Sequence, residues 1–168
     1  MTNYQATIEG RCIFCEIAQG RLQTPRIFWE DENFIAFLSI FPNTEGFTVL
    51  ITKQHFSSDC LMLPPDILQK TMVACQKIAE ILKKHFTDVG RVGVIMEGMG
   101  VNHAHIKLIP MHNTEELKTG TWKQYLSGKS DFFKTYPGYL VSADGPRANE
   151  IKLKELAEKL KNYNCEIN

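Results

Sequence analysis

The segment His103-Ala104-His105-Ile106-Lys107-Leu108-Ile109 alternates two imidazoles and an ammonium with apolar residues. It follows a glycine-rich run, Glu97-Gly98-Met99-Gly100. Alternation at period two is the pattern of a half-buried strand, in which residues i, i+2 and i+4 share a face. His103, His105 and Lys107 would then point the same way, with neighbours about 6.6–7 Å apart. Ala104, Ile106 and Leu108 would face the core. Such a row suits phosphate chemistry, because it offers a nucleophile or base beside fixed positive charge. The plain alternative is a pair of half-buried polar residues beside a lysine that snorkels to solvent.

A second pattern is Cys12-Ile13-Phe14-Cys15. In a reducing compartment, Cys-x-x-Cys is more often a metal knuckle or a redox motif than a disulfide. The chain holds five cysteines and no second Cys-x-x-Cys. A four-cysteine zinc site is therefore excluded, and further ligands would have to be histidines. Cys60, Cys75 and Cys165 are scattered and read as ordinary free thiols.

The elements that must position these residues follow from periodicity and turn chemistry. Residues 12–19 read as a short helical turn ended by Gly20. Arg26–Glu30 and Asn33–Ile40 read as two strands of a hairpin, and Phe47–Lys53 as a third strand beyond the Phe41–Gly46 loop. Asp66–Phe86, opened by Pro64-Pro65, reads as a helix with an apolar stripe of Ile67, Leu68, Met72, Val73, Ile78, Ile81, Leu82 and Phe86. Arg91–Met96 and His103–Met111 complete the strands. His85 reads as a dipole-favoured surface residue at a helix end, and His112 as a loop residue. His112–Ser130 is loop-like, with Trp122 and Tyr125 as aromatic anchors. A turn at Ser142–Arg147 precedes an amphipathic helix over Asn149–Tyr163.

The expected fold is a single α+β domain: an antiparallel sheet with a long crossing helix, a core of about residues 12–112, and an extension over 113–168 that ends in a helix. At 168 residues, one domain with a real core is the natural size. Nineteen basic residues balance nineteen acidic ones. No global field draws the chain to nucleic acid or to an anionic membrane, so phosphate recognition must be local. No apolar stretch approaches the ~20 residues of a membrane span. The N-terminus lacks the basic and apolar regions of a signal peptide, and the chain reads as cytoplasmic.

Four segments in order, Cys-Ile-Phe-Cys-Glu-Ile-x-x-Gly, Glu-Asp-Glu-x-Phe-Ile-Ala-Phe, Gly-Phe-Thr-Val-Leu-Ile-x-Lys-x-His and Gly-x-x-x-His-Ala-His-Ile-Lys, resemble the histidine triad superfamily. The resemblance spans about residues 12–112. It implies an enzyme acting on nucleotides whose α-phosphate bears an ester, anhydride or phosphoramidate leaving group. It also implies that His105, the middle histidine, is the nucleophile, and that Gly98 and Gly100 let backbone N–H groups approach the phosphate. Lys107 stands where the family has its third histidine, and could pair with a phosphate oxygen as a point charge. Asn102 is either a turn residue or a phosphate contact.

By the same resemblance, members with the N-terminal Cys-x-x-Cys bind a structural zinc, here through Cys12, Cys15, His55 and His103. Ile13, Phe14, Ile17, Phe37 and Ile40 would line the base pocket. Ser39 replaces the usual acidic or amide residue for the ribose hydroxyls, and Phe47 replaces a usual histidine. The implied partners are a nucleotide or dinucleotide substrate and a second copy in a homodimer. The competing reading, prompted by Ser39, Phe47 and Lys107, is a zinc-stabilised nucleotide-binding or interaction module with little turnover.

Overall fold

Two runs in this chain are buried at consecutive rather than alternate positions: Phe34-Ile35-Ala36-Phe37, and Thr48–Thr52 with Val49-Leu50-Ile51 at its centre. A strand reads this way when both of its faces are covered. The computed structural model, which describes residues 7–120, shows what covers them. A small ribbon of β1 (Thr7–Ile8) and β2 (Arg11–Cys12) leads into the short helix α1 (Ile13–Ala18). Strands β3 (Ile27–Glu30), β4 (Phe34–Leu38) and β5 (Thr48–Thr52) follow, then a 3-10 turn at Cys60–Met62 and the long helix α2 (Pro65–His85). Strands β6 (Arg91–Ile95) and β7 (His105–Met111) and a 3-10 turn at Glu115–Lys118 end the described part.

The five-stranded sheet is antiparallel throughout, in the order β3-β4-β5-β7-β6. One face packs Phe34, Ala36, Leu50, Ala104, Ile106 and Leu108 with α2 residues that include Ala74, Cys75, Ile78 and Leu82. The other face packs Ile35, Phe37, Val49 and Ile51 with Phe14 and Ile17 of α1 and with Val101. The register sets Ile51 opposite His105 and Val49 opposite Lys107. His105 and Lys107 thus share the α1 face, while Ile106 and Leu108 are fully buried under α2.

The expected helix is present, begun by Pro64 and Pro65 and ended by Lys83, Lys84 and His85, cations suited to a helix C-terminus. Its buried face differs from the expected stripe. Thr71, Ala74, Cys75, Ile78 and Leu82 are buried, whereas Met72, Val73 and Ile81 are 48%, 50% and 38% exposed. Small residues at 71, 74 and 75 let the helix approach the sheet closely, so the contact face follows volume rather than apolarity. The Thr71 hydroxyl is satisfied by donating to the Ile67 carbonyl at 2.8 Å.

The expected hairpin of β3 and β4 forms, with a bulge between Ile27 and Trp29. Its turn is closed by Asp31, whose Oδ1 accepts from the Asn33 and Phe34 N–H groups at 2.8 and 2.9 Å. The last strand starts two residues later than expected. His103 N–H closes a local turn onto the Val101 carbonyl at 2.8 Å, and Ala104 N–H pairs with the Phe56 carbonyl at 2.9 Å. The chain leaves the ladder there, and His103 sits in a bend before β7.

His112 is more than a loop residue. One ring nitrogen pairs with Asp88 Oδ2 at 3.0 Å and the other donates to the Glu45 carbonyl at 3.1 Å. These partners raise its pKa above the ordinary histidine value. His85 is exposed, its ring edge-to-face with Phe86. Among the described residues no helix is long and apolar enough to cross a membrane. The 142–147 turn, the 149–163 helix, Trp122, Tyr125 and Cys165 lie outside the described residues.

Truncating the two faces of α2 separates the readings of its stripe. Ile78→Ala is expected to cost about 2–5 kcal/mol in urea unfolding, and Met72→Ala less than about 0.5 kcal/mol. Comparable losses from both would place the sheet contact on the wrong face.

Candidate metal centre and active site

Three distant segments meet at one point. α1 begins directly after Cys12 and carries Cys15 one turn later. The chain leaving β5 brings His55, and the bend before β7 brings His103. The ligand atoms of Cys12, Cys15, His55 and His103 all lie within 4.8 Å of one another. His103 Nδ1 is 3.5 Å from each sulfur and 3.3 Å from His55 Nδ1, and Cys15 Sγ is 3.3 Å from His55 Nδ1. A tetrahedral ion with metal–S of about 2.3 Å and metal–N of about 2.0–2.1 Å has ligand–ligand edges of about 3.3–3.8 Å. The four spacings just given, of the six edges, fall in that range, and the four residues could hold a metal ion.

The protons agree with this geometry. His103 is fully buried, and its Nε2 lies 2.8 Å from the Thr52 carbonyl. A carbonyl only accepts, so Nε2 carries the hydrogen and Nδ1 presents a lone pair to the cluster. Such an outer hydrogen bond is what fixes a metal-ligating imidazole. Burial lowers the His103 pKa, which keeps the ring neutral. Burial and the neighbouring Cys12 thiol push Cys15 up to about 11. A bound cation inverts that preference by favouring thiolate.

His105 follows on β7 and is buried. Its Nδ1 lies 2.7 Å from the backbone carbonyl of His103, so Nδ1 is the donor and Nε2 bears the free lone pair. The Phe14 ring meets His103 and His105 edge-on, with centroids 5.8 and 5.4 Å apart. Cys60 Sγ donates to the His105 carbonyl at 3.3 Å.

Lys107 makes an ion pair with Glu97 in which both side chains are largely covered, at 26% and 16% exposure. Burial lowers the Lys107 pKa, and the adjacent carboxylate opposes that loss of charge. Gly98 has φ +67°, and a Cβ there would stand 2.7 Å from the Ser58 carbonyl oxygen. Only glycine meets both conditions. Gly100 has φ +94°. Asn102 is exposed, and its Oδ1 accepts from Ser58 N–H at 3.1 Å and Ser57 Oγ at 3.3 Å. The glycine loop thus runs close to Ser58 at Gly98 and is hydrogen-bonded through Asn102 to the segment that follows His55.

Of the residues expected to line a base pocket, Phe14, Ile17 and Phe37 are buried together, with Ile13 packed against them. Ile40 is 60% exposed and lies outside this cluster. Ser39 Oγ accepts from Phe41 N–H at 3.1 Å and closes a local turn, and Phe47 is half-buried. The roles of Glu97 and Thr52 escaped the sequence reading, whereas Cys60 is the free thiol it was read to be. Glu97 was visible only as the residue before Gly98, and its partner follows from the register that sets Ile95 opposite Lys107.

The HIT domain family model matches residues 21–114. The chain belongs to the HIT family. A HIT-like protein of Methanocaldococcus jannaschii is 35% identical over 105 residues, covering 60% of this chain and 79% of that protein. The adenosine 5'-monophosphoramidase of Saccharomyces cerevisiae is 27% identical over 129 residues, covering 77% and 78%. Among solved structures, a zinc-bound histidine triad family protein from Mycobacterium smegmatis superposes with a TM-score of 0.55 at 26% identity, covering 64% and 88%. This HIT chain has His-x-His-x-Lys in place of a full triad.

Metal analysis of the purified protein is expected to return one divalent ion per chain, with Cys15→Ser reducing it to near zero and lowering the melting temperature. A metal-free wild-type chain as stable as its chelator-treated form would contradict the four-ligand assignment.

Proposed function

We propose that this chain is a nucleotide hydrolase or nucleotidyltransferase acting at the α-phosphate of an ester, anhydride or phosphoramidate, through a covalent nucleotidyl-His105 intermediate. The observation that carries this reading is the 2.7 Å hydrogen bond from His105 Nδ1–H to the His103 carbonyl. It leaves the Nε2 lone pair as the nucleophile. When Nε2 attacks the α-phosphorus, a P–N bond forms and the bond to the leaving group breaks, the electron pair going with the leaving group. The ring then carries positive charge, with Nδ1–H still held by the same carbonyl. Water or another acceptor attacks the phosphorus next, and the P–N electron pair returns to Nε2. The acceptor's proton is released.

The donor set of two sulfurs and two imidazole nitrogens suits zinc, held by Cys12, Cys15, His55 and His103. When bound, zinc supplies structural fixation, because four protein ligands leave no open position for Lewis-acid chemistry. His103 then orients His105 through its carbonyl and takes no part as a free acid or base. Phosphate oxygens would meet backbone N–H groups of the loop at Gly98 and Gly100 and the Lys107 ammonium. Support for nucleotide chemistry also comes from the yeast monophosphoramidase relative. The family resemblance adds a homodimer to this reading. A second reading, nucleotide binding without turnover, draws on Ser39, whose hydroxyl oxygen already closes a turn.

Incubation with α-labelled nucleotide substrates is expected to give acid-labile label on the protein. His105→Ala would abolish the label and lower kcat by on the order of 10^4-fold or more. Measurable nucleotide binding with neither label nor turnover would support the second reading and overturn the first.

A further inference from the structure

The third position of the histidine pattern is a lysine, and the structure gives that lysine a carboxylate partner. β6 ends at Ile95, opposite Lys107 in the sheet. Two residues on, Glu97 turns back and pairs with the Lys107 ammonium, both groups largely covered. Gly98 follows at once, its left-handed backbone packed against Ser58. The carboxylate is therefore carried by a loop that runs close against Ser58. Lys107 lies on the same sheet face as His105, one alternate residue along the strand.

We infer that Glu97 is a positioning residue that makes Lys107 a fixed, non-donating cation, so that this site favours substrates whose leaving group departs as a stable anion over phosphoramidates. This inference rests on the covalent His105 reading and names the substrate class of the same site. Proton balance separates the two kinds of leaving group. In an anhydride or aryl ester, attack by Nε2 forms the P–N bond, and the breaking P–O bond puts its electron pair on oxygen. A phosphate or phenolate leaves as an anion and takes no proton in that step. A phosphoramidate differs, because its breaking bond puts the pair on nitrogen. An alkylamide anion is far too basic to leave, so nitrogen must gain a proton as the bond breaks. A positioned general acid for such a transfer contributes about 10²–10⁴-fold.

A histidine at position 107 could shuttle that proton near neutral pH. Burial lowers the Lys107 pKa, but the carboxylate opposes that loss of charge, so the paired ammonium releases its proton less readily than an unpaired one would. What Lys107 retains is charge and two further N–H groups, which serve a phosphate oxygen rather than a leaving nitrogen.

The test compares kcat/KM of the full-length wild-type protein for two probes, the p-nitrophenyl ester of AMP and its N-alkyl phosphoramidate. The ester is expected to be preferred by at least about 100-fold. Glu97→Gln should narrow that ratio at least about tenfold through a higher phosphoramidate kcat with little change in KM. Glu97→Asp should return it toward wild type, and Lys107→His should narrow it further. Equal rates or a phosphoramidate preference in the wild type would overturn the inference, and that measurement needs no variant. A parallel fall for both probes in Glu97→Gln would mark Glu97 as merely structural and also overturn it. Absence of both turnover and His105 label would instead overturn the covalent reading, and this inference with it.

Discussion

His103 holds the site together with three of its polar groups. Its Nδ1 faces two sulfurs and a second imidazole, its Nε2–H is spent on the Thr52 carbonyl, and its own carbonyl accepts from His105 Nδ1. A buried imidazole with unsatisfied nitrogens would be costly. Here both nitrogens have partners, and the backbone oxygen sets the tautomer of the next histidine. Positioning of the His105 ring is therefore linked through a single residue to the cluster that joins α1, the chain after β5, and β7. That link explains why the chain leaves the sheet ladder at 103: a regular strand would not also bring Nδ1 to the cysteines and the carbonyl to His105.

Burial on both faces supports this arrangement. α2 covers one side of the sheet, leaving β7 with Ile106 and Leu108 as fixed anchors. α1 covers the other, and Phe14 sits edge-on to both histidine rings. The short helix α1 has six residues and could not hold itself in water. Its position depends on Phe14 and Ile17 in the core, on a salt bridge of buried Glu16 with Arg21, and on the cysteines at its start. The cluster that could hold a metal ion and the core packing thus draw on the same few residues.

Much of this was legible in the chain. Period-two alternation placed Ile106 and Leu108 inward and His105 and Lys107 together, because strand geometry leaves no other arrangement. The knuckle at Cys12 and Cys15 pointed to a metal or redox motif, and the fold gathers both thiols with His55 and His103 into a cluster that could hold a metal ion. The face of α2 was misread at Met72, Val73 and Ile81, because single-sequence periodicity weighs apolarity and cannot see that Thr71, Ala74 and Cys75 allow a closer approach. The partner of Lys107 was hidden for a different reason. Glu97 stands ten positions earlier in the chain, and the pairing of β6 with β7 brings the two together. His112 was hidden likewise, its partners Asp88 and Glu45 being distant in the chain.

In the proposed function His103 and His105 divide the ligand and nucleophile roles, and NMR of the ring nitrogens tests that division most directly. In 15N-histidine-labelled protein loaded with cadmium-113, His103 should show metal coupling at Nδ1 with a protonated Nε2, and His105 should be the Nδ1–H tautomer with an unprotonated Nε2. A His105 ring protonated at Nε2 in the neutral form, or a His103 ring without metal coupling at Nδ1, would contradict the account.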